Sequence, residues 1–414
     1  MKKIVFFVII MISMVGCSDL DIKRDNKLYY RGEVKLTENQ LKLSKNTANF
    51  SFGVLAQMAK ENKDNDICFS PLSLQYALSM LANGAAGTTR QEILDAMGFK
   101  KSTIDEVNVY NSLLMNKLST IDEKVTVLSA NSLWCDIGIE PKESFSKMIE
   151  GIYDGKSANI RYATDIDTVR QWITDKTNGM IKDFPQSLGE RATIVNTVYF
   201  NGEWDNKFYI ESTKQGCFYE ADGKKEKGDV FYMHKYRFGT SYSSNNQYEM
   251  ASFPFGSGAY VMYVILPQPK VTTSECIEMI SKRGWDASRS NMAYSVLNVK
   301  LPRFTFEDQW HLGAALSNMG MSKAFNPFDS SGDFTNMVDN FYGKMDILQK
   351  CKIAVSEEGV EAGAATMTMY STFNNKQVEI VDFYVTRPFI YVIQELNTGA
   401  ILFVGQVHQP EMAQ

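Results

Sequence analysis

The segment from Val355 to Thr368, VSEEGVEAGAATMT, constrains the possible fold strongly, because it joins an acidic turn to a run of very small residues. Gly and Ala pack little surface and have a low preference for strands. Such a run close to the C-terminus therefore indicates backbone that must enter a crowded place. A flexible Gly/Ala linker is the alternative, and the segment by itself leaves both interpretations open.

Side-chain alternation favours an inserted strand. If Val360 begins a strand, every second side chain as far as Tyr370 faces one side of the sheet, and none of these is charged. Glu361 is the only charged residue between Val360 and Thr372, and it would face the opposite side. No proline interrupts the stretch from Val360 to Phe373, so no ladder donor is missing. The uncharged face consists of Val360, Ala362, Ala364, Thr366, Thr368 and Tyr370.

The composition describes a large globular protein. Its 414 residues, 44% of them hydrophobic, can bury a core in one large domain or two smaller ones. The net charge of -5 argues against nucleic acid or an anionic membrane surface as a generic partner. None of the three histidines, His234, His311 and His408, has another His or a Cys at metal-ligand spacing. We therefore expect no metal site and no cofactor.

The N-terminus has the pattern of a targeting segment. Lys2 and Lys3 precede an apolar run from Ile4 to Val15, which is shorter than the roughly 20 residues that a membrane-spanning helix needs. The following Gly16-Cys17 completes a motif that resembles a bacterial lipobox, in which the Cys is acylated and becomes the mature N-terminus. An ordinary cleaved signal peptide with an incidental Cys is the alternative.

The lipobox resemblance implies a signal peptide at residues 1–16, a lipid on Cys17 and a polar tether over residues 17–42. The protein would then be anchored through its lipid to the outer membrane of a Gram-negative bacterium. Ser18 to Asp21 loosely resembles an acidic signal that sends some such lipoproteins to the cell surface. Both the periplasmic and the surface-facing orientation stay open.

Five further cysteines do not form a disulfide framework, because their number is odd and their spacing is wide. We interpret most of them as buried small hydrophobic residues. They are Cys68, Cys135, Cys217, Cys276 and Cys351.

The predicted secondary structure is of the α+β class, with helices concentrated in the first half and strands in the last hundred residues. No linker or repeat follows Leu43, so residues 43–414 are expected to form one domain. The predicted helices are Thr47–Lys60, Pro71–Leu81, Gln91–Met97, Val169–Asp183 and Trp310–Met319. The predicted strands are Val125–Trp134, Ile194–Phe200, Val261–Leu266, Ser295–Leu301 and Phe304–Phe306.

Five motifs, taken in order and together with the small-residue segment, resemble the serpin family over about Asn46 to Pro410. They are FSPLSLQYALSMLANGAAGTT (69–89), WITDKTNGMIKDF (172–184), IVNTVYFNGEWDNKF (194–208), LPRFTFEDQWHLGAALSNMGM (301–321) and RPFIYVIQELNTGAILFVGQVHQP (387–410). The resemblance implies a main mixed sheet, two smaller sheets and an exposed reactive loop at about residues 357–386.

The same resemblance implies a monomeric suicide inhibitor of serine endopeptidases, with cysteine endopeptidases also open as targets. A protease would cut the reactive loop, and the loop would enter the main sheet while the protease is still attached in a 1:1 covalent complex. The alternative within the family is a non-inhibitory member that acts as a binding or chaperone-like protein. Such members usually carry bulky or charged residues or proline in the hinge, and this chain does not.

The family's functional positions fall on named residues here. The hinge comprises Glu357, Glu358, Gly359, Val360, Glu361, Ala362, Gly363, Ala364, Ala365 and Thr366. The cleaved bond falls at Phe373-Asn374, to within a residue or two, because the segment 374–386 is longer than usual. Loop entry is expected at Trp204, and the sheet-opening residues are Ser70, Ser73, Asn196 and Gln349.

A hydrolase is the remaining alternative. The chain has no HExxH, GxSxG or P-loop motif, and three histidines leave little room for a catalytic triad. We predict His311 on an amphipathic helix and His408 in the closing motif, both with structural roles. The sequence thus predicts an inhibitor that is not an enzyme.

Overall fold

The computed structural model describes residues 34–189, 191–326, 328–329, 331–360 and 379–410. Ten α-helices lie in this part of the chain, and none of them is long and apolar enough to cross a membrane. They are α1 (Glu38–Glu61), α2 (Pro71–Gly84), α3 (Gly87–Ala96), α4 (Ile104–Leu118), α5 (Glu143–Tyr153), α6 (Ile166–Lys176), α7 (Thr273–Arg283), α8 (Trp285–Arg289), α9 (Gly313–Asn318) and α10 (Ser322–Phe325).

Local sequence explains where several helices begin. Thr37 caps α1 through a reciprocal pair of hydrogen bonds with Gln40, and Thr103 caps α4 in the same way with Glu106. Ser70 caps α2, whose first residue is the proline that fits a helix N-terminus. Helix α1 begins at Glu38, ahead of the domain boundary expected at residue 43.

Fifteen strands are formed by the described residues. They are β1 (Ile67–Phe69), β2 (Val125–Asp136), β3 (Lys156–Ile160), β4 (Ala192–Glu203), β5 (Lys214–Tyr219), β6 (Glu226–Ser244), β7 (Tyr248–Phe255), β8 (Tyr260–Pro267), β9 (Ala293–Pro302), β10 (Phe304–His311), β11 (Asp346–Val355), β12 (Gly359–Val360), β13 (Ile380–Tyr384), β14 (Phe389–Glu395) and β15 (Ile401–Val407).

Two mixed sheets organise these strands. The six-stranded sheet has the order β10-β11-β12-β4-β2-β3, and the nine-stranded sheet has the order β1-β15-β14-β8-β7-β6-β9-β13 with β5 beside β6. Two smaller sheets were expected beside the main one. They are continuous here, because β6 runs for 19 residues and pairs with β5, β7 and β9 along its length.

The six-stranded sheet is covered on both faces. Ile347 of β11 and Ile194 of β4 face the main core. Leu348 and Val195 face the other way, into a second cluster that α6 completes with Val169. The sheet therefore has one face toward the core and one face under α6.

One predicted element is wrong. Trp310–Met319 was expected as a single helix, but Trp310 and His311 end strand β10, and α9 begins only at Gly313. Alternate residues from Phe304 to His311 are exposed, which is the period of a strand with one solvated face. His311 accordingly lies on a strand, where Nδ1 is 2.8 Å from Asp346 Oδ2.

Candidate functional site

The boundary between β4 and β11, called the seam below, is paired over only part of its length. Six parallel pairs run from Thr193–Asp346 to Val198–Cys351. The Thr197 hydroxyl adds a bond across it by donating to the Lys350 carbonyl at 2.8 Å. This paired part of the seam is closed by ordinary strand pairing.

At the other end of the seam, the short strand β12 lies between β4 and β11. It is antiparallel to both: Val360 pairs with Val355 on one side and with Gly202 on the other, and Gly359 pairs with Glu203. Val360 is only 1% exposed. Gly359 and Val360, the third and fourth residues of the predicted hinge, therefore already occupy a strand position in the sheet.

Gly359 is required by this close approach. Residues with a side chain rarely adopt its φ of +144°. A Cβ there would lie 2.2 Å from the Gly202 carbonyl oxygen. The same Cβ would meet the backbone of Glu203 at 2.7 Å and of Trp204 at 2.9 Å. Glycine is thus the residue that lets the hinge enter between the two strands.

Trp204, the residue expected at the loop-entry position, contacts the start of the hinge. Its indole N–H donates to the Ser356 carbonyl at 2.8 Å, and its backbone N–H donates to the Glu358 carbonyl at 2.9 Å. The ring stacks on Phe255, with centroids 4.4 Å apart. Phe208 continues the contact through its backbone N–H, which donates to the Glu357 carbonyl at 3.0 Å.

Glu357 is a buried carboxylate with charged and neutral donors. Arg303 donates to its Oε1 from Nε at 2.9 Å and from a terminal nitrogen at 2.5 Å. The Thr213 hydroxyl donates to the same oxygen at 2.5 Å. The Glu357 side chain is 6% exposed and that of Arg303 is 24% exposed, so removal of either partner leaves a poorly solvated charge.

Glu358 has a different partner. Lys207 Nζ lies 2.7 Å from its Oε2 and 3.0 Å from Glu203 Oε2. Burial alone would lower the pKa of Lys207, but its hydrogen bonds to Glu358 and Glu203 raise that pKa above the usual value. This ammonium group therefore ties the hinge to the end of β4.

Lys235 supports the same segment from the nine-stranded sheet. Its Nζ donates to the carbonyl oxygens of Asn206, at 2.5 Å, and of Lys207, and lies 5.1 Å from the Phe208 ring centroid. Burial lowers the pKa of Lys235 to about 7, against the opposing attraction of Asp205. The backbone that follows Trp204 is thus held in place by a side chain of β6.

In the paired part of the seam, two predicted sheet-opening residues meet. The Gln349 carboxamide accepts from the Ser70 N–H and donates to the Ser70 carbonyl, both at 2.9 Å. All four atoms belong to fully buried residues. Ser73 joins the group through its backbone N–H, which donates to the Ser70 hydroxyl at 3.2 Å. Gln349 can hold the Ser70 backbone without carrying a charge.

Asn196 lies in the same buried layer but has another partner. Its Nδ2 donates to Asn131 Oδ1 in β2, and Asn131 in turn donates to the Tyr153 carbonyl at 2.9 Å. Asn196 is paired with Gln349 only through the strand register. The structure thus separates the predicted polar residues into a group on the β11 side and a group on the β4 side.

The remaining predicted positions lie outside the described residues. They are the hinge residues Glu361, Ala362, Gly363, Ala364, Ala365 and Thr366, the predicted cleavage site Phe373-Asn374, and the lipidation site Cys17.

A profile described as "Serpin (serine protease inhibitor)" matches residues 45–410. The chain belongs to the serpin family. This family consists mostly of protease inhibitors, which are not catalytic enzymes. Mouse antithrombin-III is 29% identical over 384 residues, which cover 89% of this chain and 82% of that protein. A serpin-like protein of Methanosarcina mazei is 28% identical and covers 87% of this chain and 86% of that protein.

Solved structures show the same fold. The thermophilic serpin tengpin in its native state has a TM-score of 0.80 and 26% identity, covering 92% of this chain and 96% of that one. Human thyroxine-binding globulin, solved with its hormone, has a TM-score of 0.79 and 22% identity, covering 90% of this chain and 99% of that one. The α+β serpin fold predicted from the sequence is confirmed.

Sequence reasoning missed the partners of the hinge. Arg303 was within a quoted motif, and a single cation between two strand-like runs is a signal that could have singled it out. Lys207 and Thr213 carry no comparable signal. Both follow β4 in the chain, and they reach the hinge only because the fold brings the distant residues Glu357 and Glu358 beside them. Asn131 could have been found as an amide within the predicted strand Val125–Trp134.

Proposed function

We propose that this serpin inhibits endopeptidases by inserting its cleaved reactive loop between β4 and β11. One observation carries the proposal: β12 already pairs antiparallel to both strands, as the inserted loop would. Val360 pairs with Val355 and with Gly202, and its side chain is buried in the main core.

The registers on the two sides of β12 agree. Counting along the strands from the row Val355–Val360–Gly202, the sixth step reaches Gln349 in β11 and Asn196 in β4, which are paired with each other in the native seam. The loop residue in that row is Thr366. An inserted strand would therefore separate existing partners row by row without any shift of register.

The inserted face is compatible with the core. In this register the alternate residues from Val360 to Tyr370 share the face of Gln349 and Asn196, and none of them is charged. Thr366 would enter beside two amide side chains that can bond its hydroxyl. Glu361 falls on the opposite face, toward α6.

Insertion of the loop would release enough free energy to displace the attached protease. About ten new ladder bonds at ~1 kcal/mol each give on the order of 10 kcal/mol, before the added apolar burial is counted. That is comparable with the stability of a whole domain, so the native form would be kinetically trapped. If insertion precedes deacylation, the attached protease is displaced and its active site is distorted.

We further propose Phe373-Asn374 as the cleaved bond. A Phe side chain fits a deep apolar primary pocket of the chymotrypsin or cathepsin kind better than an acidic trypsin pocket. Nearby Met369, Tyr370 and Lys376 offer other cleavable bonds. Mass analysis of the C-terminal fragment released by each protease identifies the bond.

The test is to mix the pure protein with chymotrypsin and to look for a complex that survives SDS. We expect such a complex, and we expect the protein cut in its loop by a protease that is not trapped to melt far above the intact protein. Cleavage without a stable complex and without a rise in melting temperature would contradict the proposal. A rise in melting temperature without a complex would indicate a loop that inserts too slowly to inhibit.

The localisation is a separate proposal that rests on the sequence pattern around Cys17. We propose that the protein is a lipoprotein anchored to the outer membrane of a Gram-negative bacterium. Cys17→Ala should release soluble protein from cells that retain the unaltered chain in the membrane fraction. Retention of the variant in that fraction would contradict the lipid anchor.

A further inference from the structure

Two cysteines from different sheets lie side by side behind the seam. Cys68 belongs to β1 of the nine-stranded sheet and Cys351 to β11 of the six-stranded sheet, and both are fully buried. The Cys351 thiol interacts electrostatically with the Cys68 thiol, and it donates to Gln349 Oε1 at 3.2 Å. The positions are far apart in the chain, so sequence spacing gave no sign of the pair.

The backbones that carry the two thiols are fixed on both sides of the pair. Asp308 stands opposite Cys351 in the β10–β11 ladder, and its Oδ2 accepts from the Cys68 N–H at 2.6 Å. Gln349 lies two residues before Cys351, and Ser70 lies two residues after Cys68. Gln349 binds the Ser70 backbone through both ends of its carboxamide. The Trp310 indole adds a bond to the Cys68 carbonyl at 2.7 Å. The thiols are therefore held in one place relative to each other.

We propose that Cys68 and Cys351 form a disulfide when the protein folds in an oxidising environment. Each thiol gives up one proton and one electron as the new S–S bond forms. A small-molecule disulfide accepts the two electrons and is reduced to two thiols. The bond would join the two sheets through a loop that spans most of the chain, a long closure that favours the folded state.

Burial determines when this oxidation can happen. It raises the pKa of the Cys351 thiol well above its usual value, and the thiolate is the species that attacks a disulfide. Oxidation should therefore be slow in the folded protein and rapid during folding, before the core closes.

The bond would leave the seam free to open. Cys351 is on β11, while β4 on the other side of the seam is bonded to β2 and carries neither cysteine. The disulfide would hold β11 to the core and leave β4 to move. Its existence is therefore independent of whether the protein inhibits proteases.

The test is to unfold the full-length protein in reductant and to refold one sample with mixed reduced and oxidised glutathione and another with reductant alone. After alkylation, peptide mass analysis should show a Cys68–Cys351 linked peptide in the oxidised sample only. That sample should melt roughly 5 °C or more higher, and reductant should reverse the shift.

Cys276→Ser, which removes a buried thiol from α7, is the matched control and should keep the linked peptide. Cys68→Ser should lose both the peptide and the shift. The peptide map of the unaltered protein decides the matter even if a variant fails to fold. Alkylation of both Cys68 and Cys351 after oxidative refolding would overturn the proposal, and so would pairing of either one with a different cysteine.

Discussion

The two ends of the seam are held by different chemistry. At the hinge end, carboxylates and cations do the holding: Glu357 binds Arg303, and Glu358 binds Lys207. On the core face of the paired part, the groups are neutral amides and hydroxyls that are fully buried, with Gln349 on the Ser70 backbone.

The difference follows from solvent access. Arg303 and Glu358 are 24% and 36% exposed, so the charges at the hinge end keep part of their hydration. In the paired part an inserting strand would pass through dry core, where a charge would need to be desolvated. The comparison shows that ion pairs can hold the hinge at its end of the seam. The core face along which the loop would insert must stay uncharged.

Val360→Arg should give the largest effect, because it places a cation where the loop passes from the hinge end into the core. We expect the variant to be cleaved as a substrate, with the stoichiometry of inhibition by chymotrypsin raised at least tenfold. Val360→Thr is the matched control, since it keeps the shape without a charge, and it should inhibit normally. An unchanged stoichiometry for the Arg variant would exclude insertion past this row.

Arg303→Ala tests the ion pair at the hinge end. Among the described residues, the buried carboxylate of Glu357 would keep only Thr213 as a side-chain donor, which should cost about 3 kcal/mol and lower the melting temperature of the intact protein. Lys42→Ala removes the exposed pair with Glu38 as a control, and it should leave the melting temperature nearly unchanged. Equal effects in the two variants would mean that burial does not distinguish the hinge end.

Gln349→Ala tests the neutral group in the paired part. It leaves the buried Ser70 N–H without its acceptor, which should cost about 2 kcal/mol in thermal unfolding of the intact protein. Gln309→Ala, an exposed residue of β10, is the control for loss of the same side chain and should change little. A Gln349 variant as stable as the control would show that the amide does not close the seam.

The features of the seam that depend on local sequence pattern could be predicted from the sequence. Small residues and an uncharged face pointed to the hinge, and the structure places Gly359 and Val360 in a strand. Trp204, Ser70 and Gln349 came from family resemblance, and all three make contacts at the seam. The fold class followed from the order of helical and strand periods.

The partners could not be obtained in this way, because each contact joins residues that are distant in the chain. Glu357 could have been matched with any nearby cation until β9 and β10 were seen to bring Arg303 beside it. The prediction of one helix over Trp310–Met319 was wrong at its first residues. Over so short a stretch, the spacing of apolar residues does not distinguish a strand from a helix. Cys68 and Cys351 were read separately for the same reason of distance.

Asp308→Asn should give the smallest effect, and it sharpens the comparison because it removes a titratable group that lies behind the paired part. Burial raises the pKa of Asp308 to about 6, although the Cys68 N–H that it accepts works in the opposite direction. The native state therefore binds the proton more tightly than the unfolded chain does. Its stabilising contribution is complete below the unfolded pKa of 3.8 and is lost as the pH rises through about 6.

With the thiols kept reduced, the neutral Asn variant should be about 1–2 kcal/mol more stable than the unaltered protein at pH 8 and similar to it near pH 4. Unfolding midpoints in urea across this range measure the difference, with Glu140→Gln, an exposed carboxylate, as the control. A difference that does not change with pH would show that Asp308 titrates normally. Asp308 would then contribute no pH-dependent difference behind the paired part of the seam.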